Sequence, residues 1–366
     1  MIKRKKTRQI KVGNVRIGGG APVSIQSMTK CDTSDVKATV AEIKRLEAAG
    51  CEIARVAIKD FADAVAVRAI KRKIKIPIVC DIHFNYRLAL VSIAAGADKI
   101  RLNPGNITKR EEIAEVVKAA KKARIPIRIG VNSGSVLTSH PGPQRTRAGA
   151  GEPRATSHKS DASALVKAAT GYIKILEALD FHDIIISLKA SDVVSTVEAY
   201  RKMSDLCDYP QHLGVTAAGP HDSGIVKSAI GIGSLLLDGI GDTIRVSLTA
   251  DPVEEVVAAK RILGALNARR FGPDIISCPT CGRCQVDLIG IVKKVEKALS
   301  ASRFTLHAPR PATIAVMGCE VNGPGEAREA DIGIAFGKGS GALFKKGKIV
   351  KKVAAKHAVK ELLKFL

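Results

Sequence analysis

The sequence predicts a (β/α)8 TIM barrel followed by a small α+β domain with an antiparallel sheet, and three observations carry that expectation. Strand-like runs and amphipathic helices alternate eight times over roughly the first 250 residues, whereas an open doubly wound sheet usually stops at five or six strands. Hydrophobic residues make up 46% of the chain but aromatics only 3%, with no Trp, so the core is aliphatic, as in parallel sheets buried on both faces. Four of the eight cysteines fall after the eighth helix, which sets that stretch apart chemically.

Residues 1–20 are basic, and the run from Gln9 to Ile17 around Gly13-Asn14 reads as a hairpin capping something larger. The predicted strands are 23–28, 53–58, 76–83, 99–102, 125–131, 183–189, 212–216 and 243–248. The predicted helices are 34–49, 60–73, 85–95, 109–123, 161–179, 192–206, 223–237 and 251–266, most opening on a Ser, Asp or Asn cap. The last opens Asp251-Pro-Val-Glu-Glu, with proline in the first turn and acids at the positive helix end. No Gly-x-Gly-x-x-Gly follows the first strand, so a dinucleotide fold loses its main support. The longest connection, 134–159, is basic and rich in Gly and Pro, and its place after the fifth strand puts it on the functional rim of the barrel. The barrel domain covers 1–268 and a linker 269–277. The second domain, 278–366, carries a helix at 286–299, strands at 313–317 and 331–336, a hairpin through 345–348 and a last helix at 353–363.

A formal net charge of +24 raises affinity for phosphate polymers. Its distribution argues against nucleic acid as a partner: many lysines, as in 109–122 and 293–297, lie on the polar faces of helices, and stacking aromatics are scarce. A small anionic substrate accounts for part of the same surplus. The basic start leads into no apolar segment and no window reaches about 18 uninterrupted apolar residues. The expectation is a soluble cytoplasmic protein without membrane contact, its cysteines reduced or metal-bound.

Charged residues inside parallel strands are expensive unless they serve a ligand or a partner. Arg55, Arg101, Arg128, Lys189 and Arg245 lie in or at the ends of five predicted strands, joined by Asn103, Asn132, Ser187 and Ser247. Period two puts Arg101 with Asn103, Ser187 with Lys189, and Arg245 with Ser247 on one strand face. Pointed inward, they make a cationic bowl suited to a diphosphate, because guanidinium forks pair bidentately with phosphate oxygens. The alternative is a structural ion pair for each arginine. Asp81 and His83 form an Asp-x-His pair at a strand end that can orient substrate or relay protons.

Cys278-Pro-Thr-Cys281-Gly-Arg-Cys284 is answered by Met317-Gly-Cys319-Glu-Val-Asn-Gly-Pro-Gly-Glu326. The C-x-x-C spacing aims two thiolates at one metal centre, and the Gly and Pro residues permit close backbone approach to it. A zinc ribbon needs a second, separate C-x-x-C pair and none follows this run. The residue types leave an iron–sulfur cluster, a zinc site and a redox dithiol open, in that order. Gly337-Lys338-Gly339-Ser340-Gly341 reads either as a cover for phosphates or as a plain hairpin turn, and Cys31, Cys51, Cys80 and Cys207 as small buried hydrophobes.

The two cysteine runs resemble the signature of the iron–sulfur synthases of 4-hydroxy-3-methylbut-2-enyl diphosphate, in the methylerythritol phosphate route to isoprenoids. Gln26-Ser27-Met28-Thr29, Asp81-Ile82-His83-Phe84, Arg101-Leu102-Asn103-Pro104-Gly105-Asn106 and Val215-Thr216 look like that family's strand ends, so the resemblance spans nearly the whole chain. It implies the same barrel, then a domain whose Cys278, Cys281 and Cys319 hold three irons of a [4Fe–4S] cluster while Glu326 holds the fourth and can yield it. It also implies reductive ring opening of 2-C-methyl-D-erythritol 2,4-cyclodiphosphate with loss of a hydroxyl as water, ferredoxin or flavodoxin as electron donor, and a head-to-tail homodimer. The competing classes are a zinc-ribbon nucleic-acid binder and a non-catalytic iron–sulfur electron carrier. Two departures stand out: Cys284, where the family commonly has no cysteine, and Ala217 in Gly214-Val-Thr-Ala217-Ala-Gly219, where it commonly has Glu.

Overall fold

The computed structural model describes residues 2–134, 157–301 and 313–365, and divides into two compact units, Met1–Arg269 and Arg270–Leu366. Most of the predicted connection 134–159, from 135 to 156, lies outside the described residues.

In the first unit β1 (Ile10–Val12) and β2 (Val15–Ile17) pair antiparallel around Gly13-Asn14. Their Ile10, Val12 and Ile17 bury against Ile53, Val79 and Ile185. Those partners stand at the starts of three barrel strands, so the hairpin seals the barrel floor with aliphatic contacts.

The barrel strands are β3 (Ser24–Met28), β4 (Ile53–Ile58), β5 (Ile78–Ile82), β6 (Lys99–Leu102), β7 (Ile127–Asn132), β8 (Ile184–Lys189), β9 (His212–Leu213) and β10 (Thr243–Ile244). They form one parallel sheet in the order β8-β7-β6-β5-β4-β3-β10-β9. A bridge between Ile186 and Gln211 nearly closes it, with Ile186 N–H donating to Pro210 O at 2.9 Å and Thr216 N–H to Ala190 O at 3.1 Å. All eight predicted strands are present, with β9 and β10 shorter than expected because their ladders continue only as single bonds such as Arg245 N–H to Leu213 O, 3.0 Å.

The outer helices are α1 (Val36–Ala49), α2 (Phe61–Lys71), α3 (Tyr86–Ala94), α4 (Arg110–Ala123), α5 (Ser157–Ala178), α6 (Val193–Leu206), α7 (His221–Leu237) and α8 (Pro252–Ala265). Side chains of Asp35, Asp60, Asn85, Asp192 and Asp251 accept a first-turn N–H of α1, α2, α3, α6 and α8, which fixes where each helix leaves its strand loop. In α4 the buried Ile113, Val116, Val117 and Ala120 form the inward stripe of an amphipathic helix.

The second unit carries α9 (Leu288–Ala301), α10 (Gly323–Glu329) and α11 (Ala358–Leu363) on a five-stranded sheet, β11 (Asp274–Ser277), β12 (Thr313–Met317), β13 (Ile332–Phe336), β14 (Ser340–Lys345) and β15 (Lys348–Ala354). The sheet is mixed, a correction to the antiparallel expectation: β11–β12–β13 are parallel and β13–β14–β15 antiparallel. The reason is connectivity, since α9 and α10 carry the chain back to the same end of the sheet. Residues 274–277, read as linker, are a strand whose backbone pairs with β12 although its side chains are largely exposed. The predicted last helix at 353–363 is shortened to Ala358–Leu363, because Lys348–Ala354 pairs with β14 instead.

Candidate functional site

Every second residue of a parallel barrel strand faces inward, and the strand registers set these residues side by side. Asp81 pairs with Arg101, Arg101 with Arg128, and Asn132 with Lys189. Arg55 forms an ion pair with Asp81, and Arg101 Nη1 lies 3.1 Å from the other carboxylate oxygen. Arg101 Nη2 also donates to Gly130 O at 2.6 Å. A Cβ at position 130 would collide with Arg101 Nε, which explains a glycine in the middle of β7. Burial pushes the Asp81 carboxyl up, but Arg55 and Arg101 outweigh it and hold the group well below the usual carboxylate range. His83 Nε2 lies 3.5 Å from the same carboxylate and its side chain is 40% exposed, at the mouth.

The ion-pair alternative therefore holds for Arg55 and Arg101 and not for the whole set. Arg128 is buried and donates from Nη1 to Gln26 Oε1 at 3.5 Å, while its Nε has no hydrogen-bond partner. Lys189 is buried with Nζ unpartnered. Among the described residues neither has a carboxylate within ion-pair distance. Burial and the surrounding guanidinium groups pull both well below their ordinary values. Arg245 Nε stands 3.9 Å from Glu255. Asn103 is buried, its Oδ1 accepting Gly105 N–H at 3.1 Å; Asn132, at the end of β7, and Ser247, beyond β10, are half-buried.

Sequence reasoning missed Lys99 and Glu255. Lys99 is fully buried two residues before Arg101, so the period that selected Arg101 selects it too. Glu255 hid in the first turn of α8, where an acid is expected for the helix dipole. Ala217 follows β9 with φ +48°, in the left-handed region.

The thiol loops leave adjacent parallel strands. Ser277 pairs with Val316, so Cys278 and the Gly318-Cys319 segment emerge side by side. Gly318 N–H donates to Cys278 Sγ at 3.3 Å, and Gln285 N–H to Gly318 O at 3.1 Å. The buried Cys319 receives backbone N–H groups from Val321, Asn322 and Gly323, which hold its thiol below the ordinary value. Arg283, first through its backbone N–H, lowers the exposed Cys281 in the same way. Glu326 lies exposed in the first turn of α10, so the Gly-Pro-Gly run opens a short helix rather than a loop. Cys284 packs into the small unit's core, its thiol donating to Val286 O at 3.3 Å, and a Cβ on Gly318 would strike its sulfur. Cys51 and Cys80 are buried, and Cys31 and Cys207 half-buried.

This donor set fits a cluster: backbone N–H groups already point at sulfurs, two thiols are poised toward thiolate, and a carboxylate sits on the neighbouring helix. Among the described residues no three His, Cys, Asp or Glu side chains converge on a single-ion site. Ligands of a four-iron cluster bind separate irons and need no such convergence.

Comparison with known proteins places both units. The GcpE TIM-barrel domain matches residues 7–260 and the GcpE protein C-terminal domain residues 274–366. The 4-hydroxy-3-methylbut-2-en-1-yl diphosphate synthase (flavodoxin) of Thermodesulfovibrio yellowstonii is 54% identical over 363 residues, 99% of each chain. The same-named protein of Clostridium perfringens is 53% identical over 365 residues, 100% of this chain and 99% of the relative. A solved dihydropteroate synthase from Stenotrophomonas maltophilia covers 72% of this chain and 100% of its own at 13% identity and a TM-score of 0.49.

Proposed function

The chain belongs to the GcpE family, and we propose that its barrel grips a cyclic diphosphate while its small unit holds the iron–sulfur cluster that reduces it. The enzyme is an oxidoreductase, a 4-hydroxy-3-methylbut-2-en-1-yl diphosphate synthase: it opens the ring of 2-C-methyl-D-erythritol 2,4-cyclodiphosphate, takes up two electrons and releases a hydroxyl as water. The observation that carries the proposed binding mode is the cation excess of the bowl. Arg55, Lys99, Arg101, Arg128, Lys189 and Arg245 face only Asp81 and Glu255 among the described residues. Unpaired buried cations are costly, and a doubly charged substrate supplies what the wall lacks.

In this reading Arg128 and Lys189 are the principal clamp, because no carboxylate among the described residues pairs with them and Arg128 Nε and Lys189 Nζ have no hydrogen-bond partner; Arg55 and Arg101, fixed by Asp81, shape its other side. Asn103, Asn132, Arg245 and Ser247 complete the lining. The departing hydroxyl needs a proton. Asp81 is held as an anion and cannot give one, so the role falls to His83, which Asp81 orients. Cys278, Cys281 and Cys319 would hold three irons of a [4Fe–4S] cluster and Glu326 the fourth. When bound, that cluster supplies electrons one at a time and a Lewis-acidic iron next to a labile carboxylate.

Flavodoxin, the donor named for the relatives, is proposed as the electron source, with ferredoxin as the alternative. The reading includes a homodimer in the cytoplasm; no helix among the described residues is long and apolar enough to cross a membrane. Anaerobic turnover of the cyclodiphosphate by cluster-loaded protein with reduced flavodoxin tests the function. Product is expected with wild type and is lost in Cys319→Ala; loaded wild-type protein that consumes no substrate contradicts it. Restored turnover on mixing Arg128→Met with Cys319→Ala subunits tests the dimer.

A further inference from the structure

We propose that Glu255 is a positioning residue of the bowl, setting Arg245 in the geometry that takes the diphosphate; the inference rests on reading Arg245 as a diphosphate ligand. Glu255 and its neighbour Glu254 both stand in the first turn of α8, where either carboxylate answers the helix dipole. Glu254 does so at the surface, 48% exposed and 2.9 Å from His221 Nε2. Glu255 is 1% exposed, a burial the dipole alone does not require and that a charged group tolerates only with several partners.

Those partners lie on both sides of the β3–β10 seam. Oε2 accepts the Ser27 hydroxyl of β3 at 2.9 Å, and Oε1 accepts Leu248 N–H, beyond β10, at 3.1 Å. Lys30 Nζ, just after β3, lies 3.5 Å from Oε1 and donates to Leu248 O at 2.9 Å and to Ala250 O. Arg245 Nε, 3.9 Å from Oε2, is oriented by charge without a hydrogen bond from that nitrogen. One carboxylate thus ties the strand carrying Ser27 to the segment just beyond β10 that carries Arg245 and Ser247. Burial and then Arg55 pull the Arg245 guanidinium down to about 10, and Glu255 is the nearest charge opposing them. Remove that charge and only the weaker pull of Asp81 remains to offset Arg55.

The test is steady-state kinetics of the cluster-loaded enzyme with the cyclodiphosphate and reduced flavodoxin. Glu255→Gln keeps the size and an acceptor but not the charge; it is expected to raise KM about tenfold with kcat within about twofold of wild type. Glu255→Asp, which keeps the charge, should stay within about threefold of wild-type KM. In Glu255→Gln with Arg245→Met the KM should equal that of Arg245→Met alone, because Glu255 acts through the arginine. An unchanged KM in Glu255→Gln beside a raised one in Arg245→Met overturns the inference and leaves the binding reading standing. So does a double variant whose KM is the product of the two single effects, or a Glu255→Asp as impaired as Glu255→Gln. An unchanged KM in Arg245→Met overturns the reading of that arginine as a ligand, and the inference with it.

Discussion

At the barrel floor, Ile53, Val79 and Ile185 meet Ile10, Val12 and Ile17 of the hairpin in a purely aliphatic contact. Two residues further along those same strands the inward positions are Arg55, Asp81 and Ser187. The floor gains stability from every methylene it buries, about 25 cal/mol per Å² of apolar surface. The mouth does the reverse: its unpaired ammonium and guanidinium groups each oppose folding until an anion arrives. In the proposed binding mode, stability and binding are thereby segregated along single strands, and a barrel with a sealed floor can carry a costly mouth.

Five substitutions break or sharpen that contrast. The largest effect belongs to His83 at the mouth. His83→Asn should lower kcat by about 10² to 10⁴-fold, the usual worth of a general acid, with substrate affinity and melting temperature unchanged. On the proposal that His83 is the donor, Ala217→Glu should leave kcat within about threefold of wild type, and a gain beyond tenfold would show that a carboxylate was needed there.

Asp81→Asn removes the anion shared by Arg55 and Arg101 and should cost about 3–5 kcal/mol at pH 7 in denaturant titrations. The folded-state Asp81 pKa lies below the unfolded value, so this contribution is fully present above roughly pH 4 and is lost as pH falls through the lower folded value. The two proteins should therefore converge in stability toward acid. A gap that persists or widens there contradicts the assignment.

Ile185→Ala at the floor should lose roughly 2–5 kcal/mol, yet leave the KM of the folded enzyme alone. A large change in KM would mean that floor and mouth are coupled. The last substitution, Arg128→Met, has the smallest energetic effect and bears most directly on the bowl.

How much of this was legible in the sequence differs by region for physical reasons. The barrel strands announce themselves as short aliphatic runs, and an Arg or Lys inside such a run, costly to bury without a ligand or partner, marks the bowl. Asp81 was visible as an Asp-x-His pair, but its grip on two arginines was not, since Arg55 and Arg101 come from the strands on either side of β5. Glu255 was masked by its neighbour Glu254, identical in type and acting only at the surface. In the small unit, Asp274–Ser277 is short and mostly exposed, so no hydrophobic period betrayed it. The parallel pairing of β12 with it was readable in principle, because a helix between two strands implies a crossover. The thiol loops were the most legible of all, yet the helix start beside Cys319 was hidden behind two glycines and a proline.

The most direct measurement is calorimetric titration of the cyclodiphosphate into anaerobic, cluster-loaded wild-type and Arg128→Met protein, paired with their melting temperatures. Arg128→Met should bind at least about tenfold more weakly, near 1.4 kcal/mol, while melting no lower than wild type, because a buried charge without a carboxylate partner among the described residues has been replaced by an apolar side chain. Equal affinity in the two proteins, or a variant that loses stability along with binding, contradicts a mouth built to be completed by its substrate.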